Sequence, residues 1–212
     1  RLSALGARHL SAVYKKGTSG AAALERVLAK RGWGTPEVRA HMVRCTPEEL
    51  SRTSWFDRVS LTGSDLTIFP WAELTEQERA ELVRSHEASS WIAEGLEPWR
   101  HDHYGFEPTS SVGLRYKGRV VGWIITHRLG PEAVRFTTGF VRDDLARRGL
   151  LYALWTASTV RLRDAGCQWC TWATPVRFKQ MTAVIERRCL PWVSEVSASY
   201  GSSKELGDVS RS

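Results

Sequence analysis

The chain has 212 residues, of which 42% are apolar and 25% are charged, proportions typical of a globular protein rather than a disordered or collagen-like one. No apolar run approaches the ~20 residues that a bilayer-crossing helix needs, which excludes a membrane-spanning protein. Thirty Lys and Arg against 23 Asp and Glu leave a net charge of +7, which serves solubility or favours an anionic partner such as a phosphate-bearing cofactor, nucleic acid or an acidic membrane.

The four cysteines are too few for a disulfide scaffold. Cys167 and Cys170 have the CxxC spacing of a zinc site, but no second CxxC completes it. We therefore predict buried thiols and no metal. We find no secretory signal near the first residue, and reduced thiols then predict a cytoplasmic protein.

Two stretches of the chain are similar to each other. Residues 1–14 align with residues 161–174, because each reads as a helix end, a capping glycine and a strand. Residues 27–33 then align with residues 184–190 in the same order. The pattern predicts a repeat, and chance resemblance between two helix–strand units is the alternative.

The repeat predicts a domain organisation in which half of one unit precedes a complete unit. A polar, turn-rich stretch between them is predicted to be a linker. The predicted parts are residues 1–45 (half unit), 46–65 (linker), 66–205 (complete unit) and 206–212 (tail).

Patterning within the complete unit predicts a mixed α/β fold. A capping box from Thr75 to Glu78 opens a helix that is expected to run through Val83. Lys117 and Gly118 form a hairpin signal, and Gly139 is predicted as a bulge. The predicted strands are 66–69, 111–116, 119–127, 133–141, 168–173 and 193–200. The other predicted helices are 90–95, 149–165 and 178–188.

The most informative segment follows the strand that ends at Val141. A short basic turn comes next, and a helix opens near Gly149. The first N–H groups of a helix are unpaired, and the helix dipole adds positive potential there. Arg142, Arg147 and Arg148 add charge, and a glycine lets an anion approach the backbone closely. The segment predicts a phosphate site, and a solvated basic loop is the alternative.

The order of elements and this segment resemble the GNAT superfamily of acyl-CoA-dependent N-acyltransferases. The resemblance covers residues 66–205 and implies a mixed, mostly antiparallel sheet flanked by helices, with a GNAT-like half repeat over residues 1–45. The family's loop, Gln/Arg-x-x-Gly-x-Gly/Ala, corresponds here to residues 146–151, where the central glycine is kept and the outer positions are Ala146 and Leu151.

In the GNAT family this loop wraps the pyrophosphate of CoA, and the pantetheine arm pairs with the preceding strand. The resemblance therefore implies acetyl-CoA or another acyl-CoA as co-substrate. The residues that it implies for binding the co-substrate are Phe140, Val141, Arg142, Ala146, Arg147, Arg148, Gly149, Leu150 and Leu151.

The positions of the family's acid and base hold other residue types. The tyrosine that protonates the leaving thiolate corresponds to Ile185, and the carboxylate base corresponds to Arg135. An arginine cannot accept a proton at neutral pH, but it can bind a carboxylate. We predict that His127, whose pKa range suits proton transfer, and Tyr200 on the last strand act instead. For each, an ordinary strand residue is the alternative.

The segment from His101 to Tyr104 precedes the hairpin, where GNAT proteins place loops that contact the substrate. The resemblance predicts that His101, His103 and Tyr104 bind substrate together with Arg135. A capped polar loop is the alternative, and two histidines two residues apart lack an evident third ligand for a metal.

The sequence thus predicts transfer of an acyl group, most simply from acetyl-CoA, to a primary amine of a small molecule or peptide by direct attack. The alternative is a GNAT-fold module that has lost catalysis and binds a ligand, a protein or nucleic acid. Acyl transfer to RNA is suggested by net charge alone, and without an aromatic-basic stacking motif we expect no nucleic-acid partner. We also expect no membrane partner, and a homodimer is left open.

Overall fold

The computed structural model describes residues 7–56 and 65–206. The predicted helix end at residues 1–6, part of the predicted linker and nearly all of the predicted tail lie outside these ranges. The strands are β1 (His9–Lys15), β2 (Glu37–Cys45), β3 (Leu66–Pro70), β4 (Val112–Tyr116), β5 (Arg119–Gly130), β6 (Ala133–Val141), β7 (Trp169–Pro175) and β8 (Glu195–Glu205). The α-helices are α1 (Ala21–Lys30), α2 (Pro47–Ser51), α3 (Glu76–Ser89), α4 (Asp143–Ala146), α5 (Leu150–Asp164) and α6 (Lys179–Val184). None of these helices is long and apolar enough to cross a membrane.

The larger of two compact units comprises residues Arg44–Trp172 and Ile185–Glu195. Strands β3, β4, β5 and β6 pair with one another in antiparallel order, and β6 pairs in parallel with the start of β7. Helix α3 lies between β3 and β4 along the chain, and α4 and α5 lie between β6 and β7, whereas β4, β5 and β6 are joined by hairpin turns. The predicted fold class, a mixed α/β fold with mostly antiparallel strands, is confirmed.

The smaller unit contains residues 7–43, 173–184 and 196–206. Strand β1 pairs in antiparallel order with β8, from His9 opposite Glu205 to Lys15 opposite Ser199, and β8 lies beside β2. The two segments aligned by the sequence repeat both fold as strand, helix, strand. The repeat itself and the domain division drawn from it stay predictions.

Aromatic residues fill both faces of the sheet in the larger unit, because alternate residues of a strand point to opposite faces and a bulge within β6 shifts this alternation between Phe136 and Phe140. On one face, Trp123 of β5 and Phe140 of β6 pack with Leu82 of α3. On the other, Phe136 of β6 packs against Trp155 of α5, with a ring-centroid distance of 5.9 Å. The sheet is therefore held between α3 and α5.

The hairpin and β6 show how the predicted turns compare with the structure. Lys117 and Gly118 both have positive φ, as the turn of a two-residue hairpin requires, so that prediction is confirmed. Strand β6 has the predicted bounds, but its bulge lies at Thr137 and not at Gly139, which pairs regularly with Ile124. A Cβ at Gly139 would lie 2.8 Å from Ile124 Cδ1, so a larger residue there would have to displace the end of the Ile124 side chain.

Helix boundaries differ from the prediction at three places. The capping box at Thr75 is confirmed, but α3 runs to Ser89, and the helix predicted over residues 90–95 is wrong because Ser90 has a φ of 47° and ends α3. Part of the predicted linker forms α2, which has its own capping box at Thr46. The last predicted helix is α-helical over α6 and continues as a π-helical turn over Ile185–Cys189.

The cysteines are free and buried, as predicted for the thiols. Cys45 Sγ and Cys170 Sγ lie 3.5 Å apart inside the larger unit. Cys167 precedes β7, so only Cys170 of the CxxC pair is a strand residue.

We expect the ion pair at the start of α3 to make stability depend on pH. Hydrogen bonds from Arg115 are the main reason that the pKa of Glu78 falls from 4.5 to about 2. A carboxylate with a lowered pKa stabilises the fold above its unfolded-state pKa, and this contribution is lost as the pH falls through its folded-state pKa. Glu78→Gln should therefore cost ~1–3 kcal/mol of unfolding free energy at neutral pH. The difference from wild type should shrink as the pH falls from 4.5 towards 2.

Urea unfolding over a pH series measures this effect. The control is Glu87→Gln, which removes an exposed carboxylate from the same helix and should shift the unfolding free energy by less than ~0.5 kcal/mol. An equal loss in both variants at neutral pH would contradict the assignment to the Arg115 pair.

Candidate active site

The start of α5 carries the predicted phosphate site. Gly149 caps the helix with a φ of 74°, and no side chain accepts a hydrogen bond from the amides at this cap. The first turn of α5 also contains no acidic residue. Because the first amides of a helix have no partner within it, this end keeps both its donors and its positive potential available to an anion.

Three arginines lie in the segment that leads to that helix start, and their partners differ. Arg142 is engaged with Asp144, with 2.7 Å between Nε and Oδ1, and this contact is the main reason that the pKa of Asp144 is lowered. Arg147 and Arg148 are exposed, and neither forms an ion pair within the part of the chain that the structure describes. The predicted turn before them is the short helix α4, which ends at Ala146.

Leu151, at the position of a small residue in the GNAT loop, is directed towards β6. Its Cδ1 lies 3.5 Å from the place where a Cβ of Gly139 would be. Leu150 is buried, with 3% of its surface exposed. Both leucine side chains are thus placed among the packed parts of the larger unit.

Strand β6 extends beyond its pairing with β7. The parallel register runs from Ala133 opposite Trp169 to Phe136 opposite Trp172, and the last five residues of β6 lie beyond it. Thr138, in this second part, is only 4% exposed. Its hydroxyl finds no hydrogen-bond partner among the residues that the structure describes. Leaving a buried hydroxyl unpaired costs ~1–3 kcal/mol, so a bound group that reached Thr138 would be stabilised by supplying the missing partner.

Five predicted site residues come together at the other end of β5 and β6. His127 of β5 lies opposite Arg135 of β6. The His101 ring is 6.1 Å from His127, and the Tyr104 ring is 6.2 Å from His127, between centroids. His103 and Tyr104 are 3.9 Å apart by the same measure. We call this group the histidine cluster: His101, His103, Tyr104, His127 and Arg135.

One ring nitrogen of His127 has a partner on β6. Nδ1 lies 2.8 Å from Oγ1 of Thr137, the bulge residue of β6. The tautomer of the ring decides which of the two atoms donates. The backbone of His101 lies close enough to the ring to favour its charged form. His127 therefore lies between the His101 segment and the bulge.

The environment of the cluster favours neutral imidazoles. Burial is the main cause that lowers the pKa of His127, and the charge of Arg135 acts in the same direction. Burial also lowers the pKa of His101, followed by the charges of His127 and Arg135. At neutral pH both rings are thus mostly uncharged and able to accept a proton. No group of three His, Cys, Asp or Glu within residues 7–56 and 65–206 is arranged to hold a metal ion.

Tyr200, the other predicted catalytic residue, belongs to the smaller unit. It lies opposite Tyr14 in the pairing of β8 with β1, with the rings stacked at 6.3 Å. Lys16 Nζ lies 5.0 Å from the centre of its ring. Burial and a hydrogen bond to Glu25 raise the pKa of the neighbouring Tyr14 to about 12.

A cavity of about 320 Å³, which the sequence did not indicate, lies beside the end of β6. Arg142, Arg119 and Glu81 line it together with Trp91. It opens at the start of β5, whereas His127 lies near the end of that strand. The cavity therefore adjoins the basic loop and not the histidine cluster.

No protein-family model matches the sequence, and a search of curated proteins finds no match either. Solved structures do match. A GCN5-related N-acetyltransferase from Kribbella flavida is 19% identical with a TM-score of 0.58, over 98% of this chain and 72% of that one. A GCN5-related N-acetyltransferase from Sphaerobacter thermophilus is 12% identical with a TM-score of 0.54, over 93% of this chain and 59% of that one.

A tandem GNAT protein from the clavulanic acid biosynthesis pathway gives a TM-score of 0.63 at 14% identity, over 97% of this chain and 66% of that one. This chain thus spans between 59% and 72% of the length of these three proteins. At these identities the likeness is one of fold. The chain has the fold of the GCN5-related N-acetyltransferases, as the resemblance of its sequence implied.

Proposed function

We propose that the protein transfers an acyl group from acyl-CoA, with acetyl-CoA as the first candidate, to a primary amine. The observation that carries this proposal is the open start of α5, where Gly149 leaves the helix amides uncapped beside the exposed Arg147 and Arg148. A diphosphate is the type of anion that such a helix end binds. The unpartnered hydroxyl of Thr138, on the preceding strand, supports placement of the pantetheine arm or thioester along the second part of β6.

The reaction needs one bond to form and one to break. The nitrogen of the neutral amine attacks the thioester carbonyl, a C–N bond forms, and the C–S bond breaks to release the thiolate of CoA. The nitrogen loses a proton and the thiolate gains one. Donors on β6, among them the Thr138 hydroxyl and the backbone N–H groups near Phe140 and Val141, would stabilise negative charge on the carbonyl oxygen.

Within this proposal the predicted role of His127 becomes one of positioning. Its Nδ1 holds Thr137 and its ring lies against the backbone of His101, whereas the half-buried His101 ring is placed to take the proton from the attacking amine. Because the pKa of His101 is lowered, its neutral ring is available already below neutral pH, and above that range the rate should rise with the neutral fraction of the acceptor amine. Tyr200 stays a prediction as the donor to the thiolate.

A second candidate is a GNAT-fold module that binds acyl-CoA without transferring the acyl group. The observation that favours it is the presence of Arg135 and Ile185 at the positions of the family's base and acid, together with the engagement of His127 Nδ1 by Thr137. Binding without turnover would identify this case.

Calorimetric titration with acetyl-CoA and longer acyl-CoAs, followed by an assay of thiol release with a panel of amines, tests the proposal. Binding and amine-dependent thiol release are expected. Binding without release would support the non-catalytic module. Absence of binding for every acyl-CoA would contradict both candidates.

Replacing Thr138 by valine should lower the affinity for acetyl-CoA without lowering the stability of the fold. The valine keeps the shape of the side chain and removes a hydroxyl that has no partner, so the unfolding free energy should stay equal or rise by up to ~1 kcal/mol. Affinity for acetyl-CoA should fall about 3- to 10-fold, because the bound molecule loses one hydrogen bond.

Calorimetry and urea unfolding of the variant measure the two effects. The matched control is Thr156→Val on α5, whose hydroxyl is also without a described partner. This control should leave the affinity unchanged. Equal affinity in the wild type and in Thr138→Val would contradict a contact between Thr138 and acyl-CoA.

A further inference from the structure

The histidine cluster contains a cation without a counter-charge. Arg135 is exposed on β6 and lies opposite His127. Within the described ranges it forms no ion pair. Its charge acts on both His101 and His127, whose pKa values it helps to lower. The fold thus holds Arg135 beside two imidazoles whose neutral form is favoured over the charged form.

Nearby carboxylates are committed to other arginines. Asp102, between the half-buried His101 and the exposed His103, binds Arg79. Glu97 is 3.5 Å from Arg100, and the buried Glu107 is 2.6 Å from Arg128. Each of these three acidic groups therefore already has a partner.

The groups that face the cluster are therefore mainly cationic or can become so. They are His101, His103, His127, Arg100 and Arg135, against the single paired carboxylate of Asp102. A second cation brought to this place would be repelled, whereas an oxyanion would be attracted. The two N–H edges of a guanidinium fit the two oxygens of a carboxylate or phosphate.

We infer that the acceptor amine carries an oxyanion, either a carboxylate or a phosphate, and that Arg135 binds this group together with His101 and His103. That the bound amine is the acyl acceptor rests on the proposed function, whereas the oxyanion site itself is argued from the histidine cluster alone. It selects zwitterionic and anionic amines and disfavours polyamines and lysine side chains.

The position of the cluster agrees with this role. His127 contacts the bulge residue Thr137, which is the neighbour of Thr138 and follows the last residue of β6 that pairs with β7. An acceptor anchored at Arg135 is thus held beside the part of β6 proposed for the thioester. The bound anion also raises the pKa of His101 towards the operating pH, where a general base is most effective.

Histidine NMR of the wild-type protein without CoA tests the oxyanion site. The probes are N-acetylglycine, which carries a carboxylate, inorganic phosphate, and the neutral N-acetylglycinamide. We expect N-acetylglycine or phosphate to raise the pKa of His101 and His127, and N-acetylglycinamide to leave both unchanged. A response to N-acetylglycine assigns a carboxylate, and a response confined to phosphate assigns a phosphate. No response to either anion overturns the inference.

Arg135→Gln should weaken the binding of the responding anion about 10- to 100-fold. The control Arg84→Gln removes an equal charge from an exposed position of α3 and should leave the binding unchanged. If both variants weaken the binding of the anion equally, the effect comes from net charge alone, and the inference of an anion site at Arg135 is wrong.

A competition assay then tests the acceptor class. Glycine, aminomethylphosphonate, glycinamide and ethylenediamine are offered together with acetyl-CoA, and the products are measured by mass spectrometry. Preferential acylation of the first two is expected, and preference for ethylenediamine overturns the inference. If nothing is acylated while N-acetylglycine still shifts the histidine pKa values, the proposed function fails and the oxyanion site stands.

Discussion

Gly149→Val is expected to weaken acetyl-CoA binding by about 100-fold or more, equivalent to the loss of the hydrogen bonds that a charged group makes. The residue has a φ of 74°, and nothing lies within 4 Å of an added Cβ. The space in front of that Cβ is the space that a diphosphate would occupy at the start of α5. The valine side chain would fill it, while the left-handed backbone conformation adds a strain of ~1–2 kcal/mol.

The matched control is Gly166→Val, at the other end of α5. Gly166 has a φ of 68° and likewise has open space around its Cβ position. Both variants should lose comparable unfolding free energy in urea, but only Gly149→Val should lose affinity in calorimetry. Equal affinity in the two variants would contradict a diphosphate at the start of α5.

The second large effect is expected from Trp123→Ala in the core of the larger unit. The indole is fully buried, and its ring centroid lies 5.1 Å from Phe140, 6.1 Å from Trp91 and 6.2 Å from Trp71. Its Nε1–H donates to the carbonyl of Leu96 at 3.0 Å. Truncation removes this packing and leaves the carbonyl without its donor, so the unfolding free energy should fall by ~3–5 kcal/mol.

Two controls define the origin of this loss. Trp123→Phe keeps much of the ring and removes the hydrogen bond, so it should cost less than Trp123→Ala. Trp192→Ala makes the same truncation at a side chain that is 44% exposed and should cost less than ~1 kcal/mol. Similar unfolding midpoints for Trp123→Ala and Trp192→Ala would contradict the assigned core.

Local sequence signals predicted those parts of the fold that depend on neighbouring residues. The capping box from Thr75 to Glu78 fixed the start of α3, and Lys117 with Gly118 located the hairpin. Strand β6 was predicted with its observed bounds. In each case the deciding interaction lies within a few residues along the chain, where a sequence pattern is informative.

Some errors arose where residues distant in the sequence determine the local structure, and others where the local signal is too short. Gly139 looked like a bulge, but its lack of a side chain serves close packing against Ile124, and the register of β5 with β6 places the bulge at Thr137. The strand β2 was not predicted. The four-residue helix α4 was also missed, because so short a helix has almost no periodic signal.

The candidate site was predicted in composition but not in arrangement. Each member of the histidine cluster was named from the sequence, yet the pairing of His127 with Arg135 depends on the strand register. Thr138 was not singled out, since nothing in the sequence distinguishes a strand threonine with a hydrogen-bond partner from one without. Only the three-dimensional environment gives that residue its significance.

The most direct test of the account is an amide NMR titration with CoA and with pantetheine, which lacks the diphosphate. We expect CoA to shift the amide signals of Gly149, Leu150 and Leu151 and pantetheine to leave them in place. If CoA binds while these three signals do not move, the helix start is not the diphosphate site and the proposed binding of acyl-CoA there is wrong.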